Sequence, residues 1–151
     1  MIIAPAIHRA LGALVLLAVS VLPFTVCVSN ATELEVIRTA NVGDVVVTLL
    51  GATGAWTTGD NAFVLEIASA PRKRLIDVGV PALMATPPAA AGRPGRAPAR
   101  IERGDVPGRY VGRITLPRAG EWSVTVAWSR AGPKESTTFP ILVQAPPKRP
   151  R

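Results

Sequence analysis

The side chains able to do covalent or metal chemistry are few, and they sit in the wrong place to act together. His8 is the only His and Cys27 the only Cys, and both lie in or before an apolar stretch, so from Thr32 onward the chain has neither. Ser–His–Asp and Cys–His mechanisms need an imidazole beside the nucleophile and cannot be assembled from that part. A His- or Cys-ligated zinc or copper site is excluded on the same ground. Met84 is the only Met after the first residue, and a lone thioether is a weak ligand even for Cu(I), so it reads as an apolar gap-filler beside a strand. Asp60, Asp77, Asp105 and Glu121 fall at or near turn signals, where carboxylates cap the backbone. Spacing along a sequence cannot set two of them the few ångströms apart that a catalytic pair needs. The expectation is a protein that is not an enzyme and has no cofactor.

Arginine is the side chain with most to offer. From Thr32 onward 16 basic residues face 10 acidic ones. Arg72-Lys73-Arg74 occupies a turn signal, Lys148, Arg149 and Arg151 end the chain, and Arg93, Arg96, Arg100 and Arg103 line a long irregular stretch. These last four are the candidate interaction residues. Their chemistry suits anionic headgroups, acidic polymers or an acidic protein surface. No aromatic residue lies between Lys73 and Tyr110, which removes the stacking platform of a single-strand nucleic-acid binder. Solvated loops kept soluble by arginine are the plainer account of the same residues.

The segment that precedes all this is an export signal. Ala10 to Ser29 carry no charge, His8 and Arg9 stand before them, and a polar stretch Asn30-Ala31-Thr32-Glu33 follows. Ser29 and Ala31 offer small residues at positions −3 and −1, so cleavage after Ala31 leaves a mature chain beginning at Thr32. Twenty apolar residues also reach across a bilayer core, which makes an uncleaved single-span anchor the alternative, with membrane contact only through 10–29. Pro23 favours the cleaved form. A lipoprotein at Cys27 is disfavoured by the bulky Phe24-Thr25-Val26 before it. Either way the body is periplasmic or extracellular, and export makes nucleic acid the least suitable partner.

The body reads as all-β. The chain is 15.8 kDa, enough for one domain, and its 13 Gly and 15 Pro suit short strands and turns. Seven runs rich in β-branched and apolar residues predict strands at Leu34–Arg38, Val45–Leu50, Ala62–Ala68, Leu75–Val80, Arg109–Leu116, Glu121–Trp128 and Thr137–Val143. Seven strands in about a hundred residues predict an antiparallel sandwich behind an apolar N-terminal helix. Alternation puts Trp122, Val124, Val126 and Trp128 on one face, the core, while Val111, Arg113 and Thr115 face away from Tyr110, Gly112, Ile114 and Leu116. Turn signals stand at Gly51-Ala52-Thr53-Gly54, Thr58-Gly59-Asp60-Asn61 and Ala131-Gly132-Pro133. Arg118-Ala119-Gly120 predicts a tight hairpin joining the fifth and sixth strands. Residues 86–98, TPPAAAGRPGRAP, predict a mobile loop, and 145–151 a disordered basic tail; the domain proper is 32–144.

Four pieces of this pattern resemble the YtkA-like and FixH-like group of small exported domains. They are the strand entry Gly59-Asp60-Asn61-Ala62-Phe63, the strand Gly108-Arg109-Tyr110-Val111, the strand Gly120-Glu121-Trp122-Ser123-Val124, and the closing Thr138-Phe139-Pro140-Ile141. Order and spacing agree across roughly Val42 to Val143. The resemblance implies an immunoglobulin-like sandwich with Gly59, Asn61, Gly108, Tyr110, Gly120 and Trp122 as its structural signature. It also implies an accessory role in the cell envelope with a protein partner, in some relatives tied to copper handling or to assembly of respiratory oxidases. Family members often carry a Met- and Pro-rich M-P-x-M stretch, where this chain has Val80 to Pro88 with the single Met84.

Overall fold

A computed structural model describes residues 33–87 and 95–146. The apolar segment 10–29, expected to direct export, Arg93 and the basic tail from 147 lie outside the described residues.

Eleven strands are found there: β1 Glu35–Val42, β2 Val45–Gly51, β3 Trp56–Thr57, β4 Gly59–Ser69, β5 Arg74–Leu75, β6 Ala82–Thr86, β7 Ala97–Pro98, β8 Arg100–Arg103, β9 Arg109–Leu116, β10 Gly120–Ser129 and β11 Lys134–Gln144. They form two sheets. Sheet A runs β1-β2-β4-β9-β8, with β5 paired to the end of β4, and sheet B runs β3-β11-β10-β6-β7. Every pairing is antiparallel except that of β3 with β11.

Period-two patterning explains why the sheets face one another. Val45, Val47 and Leu49 of β2, Phe63, Leu65 and Ile67 of β4, and Tyr110, Ile114 and Leu116 of β9 are buried, with exposed or half-buried residues between them. They pack in one core with Trp56, Leu83, Ala85, Phe139, Ile141, Val143 and the predicted stripe Trp122, Val124, Val126 and Trp128 from sheet B. Each large side chain buried this way contributes about 1.5–3 kcal/mol. The result is a sandwich-like all-β body.

Five expectations need correction. Arg118-Ala119-Gly120 does not close a hairpin: β9 belongs to sheet A and β10 to sheet B, so the segment is a corner between layers. Two successive strands with one apolar face each can bury those faces side by side or across a core, and alternation alone is blind to the difference. Gly120 does take the positive φ foreseen for it, at 126°. Leu75–Val80 is mostly turn. Only Leu75 pairs, to Ala68, after which Asp77 accepts a hydrogen bond from the Gly79 amide at 3.0 Å and Gly79 turns with φ 76°. The strand comes later, at Ala82–Thr86, where it pairs with Ser123–Ala127. Residues 86–98 are not wholly loop, since Thr86 ends β6 and Ala97–Pro98 form β7 against Met84–Ala85. Arg100 and Arg103 stand on strand β8, not in a loop, and Asp60-Asn61, expected as a turn, open strand β4, while Glu121 stands next to the corner at the start of β10.

Candidate functional site

The six signature residues build the scaffold. Asn61, almost fully buried, accepts the Thr57 amide at 2.9 Å and donates to the carbonyls of Thr57 and Gly59 at 2.7 and 3.0 Å, fixing the turn between β3 and β4. Gly59, within that turn, has φ 97°. The Tyr110 hydroxyl accepts the Val78 amide at 3.0 Å and donates to Asp77 at 3.2 Å. Burial pushes the phenol up from its ordinary value, while hydrogen bonds from Arg103 and then Gly79 hold the Asp77 carboxyl below the usual 3.8. Gly108 lies so close to the same turn that a Cβ would meet the Ile76 amide nitrogen at 2.6 Å. The Trp122 indole donates to the Arg118 carbonyl at 3.1 Å, tying the β9–β10 corner to the start of β10.

The predicted arginine cluster divides. Arg103 lies beside Tyr110 in the pairing of β8 with β9 and is bound to Asp77 at 2.5 Å, so it serves the same turn. Arg96 and Arg100 line a separate cleft of about 720 Å³, together with Arg113, which the sequence pattern did not single out. Arg100 and Arg113 are directly opposed on β8 and β9. Both are exposed, and among the described residues neither has a carboxylate within ion-pair distance. Like charges placed opposite each other across a strand pair repel.

What lies beside this pair follows from register. On the solvent face of sheet A, Val36 is opposite Leu50, Leu50 opposite Val64, and Val64 opposite Val111. These residues form an apolar row across four strands, roughly 14 Å long at the usual strand spacing. Val36 is 58% and Val111 44% exposed, which is uncommon for aliphatic side chains aligned in this way. Two residues along each strand, about 7 Å away, comes the row of Ala62, Arg113 and Arg100. On the other flank the Glu66 carboxylate is held by the Arg109 guanidinium, with Nε at 2.8 Å. Val64 and Val111 of the apolar row share a trough of about 540 Å³ with the arginine row, and its walls also include Leu34, Ala52 and Glu102. This trough joins the larger cleft at Ala62, Arg100 and Arg113. In that cleft Asp60 accepts a hydrogen bond from the Thr115 hydroxyl.

The outward direction of Val111, Arg113 and Thr115 was readable from alternation. Their alignment with Arg100, Val64 and Leu50 was not, because register is a property of pairs of strands.

Met84 lies on the opposite side of the molecule, on sheet B, with Thr125 and Pro98 as its cross-strand partners, and neither is a soft donor. Among the described residues no three His, Cys, Asp or Glu side chains gather as metal ligands, and no helix is long and apolar enough to cross a membrane. No family model, curated protein or solved structure matches the chain.

Proposed function

We propose that the chain is an exported, non-enzymatic accessory module of the cell envelope, immunoglobulin-like in fold, that holds its partner on the outer face of sheet A. The observation that carries the proposal is the trough in which half-buried Val64 and exposed Val111 stand beside two opposed arginines that have no carboxylate in ion-pair range among the described residues. Protein surfaces rarely keep such a combination without a use, since exposed apolar rows favour association and opposed cations cost stability. Binding surfaces are enriched in arginine for its flat, multidentate donor set.

Strand order supports the immunoglobulin-like part. β2, β4, β9 and β8 stand in the order A-B-E-D of such sandwiches, and β6, β10 and β11 in the order C-F-G of the facing sheet. The corner before strand F, where these folds use a tyrosine hydroxyl bonded to backbone a few residues upstream, here has Trp122 bonded to Arg118. The same order is what the resemblance to YtkA-like domains implies. Export rests on the apolar segment Ala10–Ser29 with its basic flank and small-residue cleavage site.

A photo-crosslinking residue placed at Val111 in the exporting cell gives discrete adducts, and one at Ser136 on the outer face of sheet B gives none. Equal labelling from both faces overturns the assignment of the binding face. Mass spectrometry of the recovered chain checks export: the cleaved form begins at Thr32.

A further inference from the structure

The trough's chemistry narrows its occupant to one class of molecule. We propose that it binds a single-chain amphiphile with a phosphate or carboxylate head, the head lying between Arg100 and Arg113 and the chain along Val111 and Val64 toward Ala52 and Leu34. This rests on the binding face proposed above and names its ligand.

Three observations converge on it. Arg100 and Arg113 face each other across the β8–β9 ladder with no carboxylate in ion-pair range among the described residues. An anion between two guanidinium groups turns their repulsion into two charge-assisted contacts, each with the fork geometry that suits a carboxylate or phosphate. The apolar wall then starts about 7 Å away at Val111, on the same strand as Arg113, and leads across Val64 of β4 toward Ala52 and Leu34. A free inorganic anion would leave that row wet. A membrane surface would need a broad basic face, yet Glu102 lines this trough and Asp60 lines the adjoining cleft. Those carboxylates tolerate one bound head better than an anionic bilayer. A volume of about 540 Å³ is enough for a slender chain.

The test uses the full chain as an exporting host releases it, titrated with dodecyl phosphate below its micelle concentration. Partition into the N-terminal segment, where it is retained, is common to all variants and is not saturable at one-to-one, so the chain-length dependence is read from the saturable component and from its loss in the valine variants. The expected results are saturable one-to-one binding, at least tenfold weaker binding of inorganic phosphate, and affinity that rises from octyl to dodecyl phosphate. Arg100→Gln with Arg113→Gln weakens binding at least tenfold, whereas Arg38→Gln on the edge strand leaves it unchanged. Val64→Ser with Val111→Ser removes the dependence on chain length. Inorganic phosphate binding as tightly as dodecyl phosphate overturns the proposal in favour of a plain anion site. Binding to phosphatidylglycerol vesicles without binding of monomeric dodecyl phosphate overturns it in favour of a membrane surface. The chain-length comparison needs no variant, so a misfolded double variant does not rescue the proposal. Failure of every amphiphile while Val111 still crosslinks in the cell overturns the ligand class alone; loss of both overturns the binding face with it.

Discussion

Individual residues in this domain act mainly as fasteners for turns, and Tyr110 shows how much one hydroxyl can hold. It satisfies the buried Val78 amide and reaches Asp77, so Tyr110→Phe leaves that amide without its partner. The expected cost is about 1–3 kcal/mol, read as a lower urea midpoint with an unchanged slope. Titration adds a second signature. The folded-state phenol is raised, so its contribution is present below the unfolded value of 10.0 and lost as the pH climbs above it; Tyr110→Phe flattens that alkaline decline. Asp77 has the opposite sign. Its folded carboxyl is depressed, so its contribution is present above 3.8 and fades as the pH falls through the folded value. Asp77→Asn therefore shows a shallower loss of stability on acidification, measured by denaturation at stepped pH. Gly108 leaves no such latitude: with φ 85° and Ile76 backbone within 2.6 Å of any Cβ, Gly108→Ala combines strain with a clash.

Strands were legible in this sequence where one face alone is buried. The bounds of Arg109–Leu116 and the core stripe Trp122–Trp128 are legible because large apolar residues recur at every second position, Gly112 being the one exception. The short strands β3, β5, β7 and β8 escaped because two to four residues cannot show a period. β6 escaped because Ala82 and Ala85 give it little contrast, and the apolar run before it drew attention to what proved to be a turn. The proposed binding face is half legible, since alternation points its residues outward but does not line them up. Edge strand β1 illustrates another device hidden from composition. Its register shifts between Val36 and Arg38, and Arg38 is paired with the core residue Leu49. Arg38 is exposed, and a bulge and a charge on an edge strand discourage pairing with another chain. Arg38→Val should promote concentration-dependent association, visible as a rising light-scattering mass where the parent stays constant.

At the scale of the whole molecule the pairings are predominantly non-local: β4 pairs with β9, and β3 with β11. Topologies of this kind fold in milliseconds to seconds. All three tryptophans, Trp56, Trp122 and Trp128, are buried in sheet B, so stopped-flow fluorescence reports closure of that sheet onto sheet A. A submillisecond single phase would contradict this assignment of the rate to topology. The space inside the sandwich is also shared out between strands. Opposite Phe63 on β4 stands Gly112 on β9, and a Cβ there would lie 2.3 Å from the Phe63 ring. Gly112→Ala alone overpacks the core, at about 1–3 kcal/mol. Phe63→Leu in the same chain relieves part of that loss, so the two changes are not additive in a double-mutant cycle. Inheritance should carry the same coupling. A descendant of this fold that acquires a side chain at 112 must surrender the ring at 63, so the two positions change as a pair. That covariation is a mark by which kin could be known after the rest of the sequence has drifted apart.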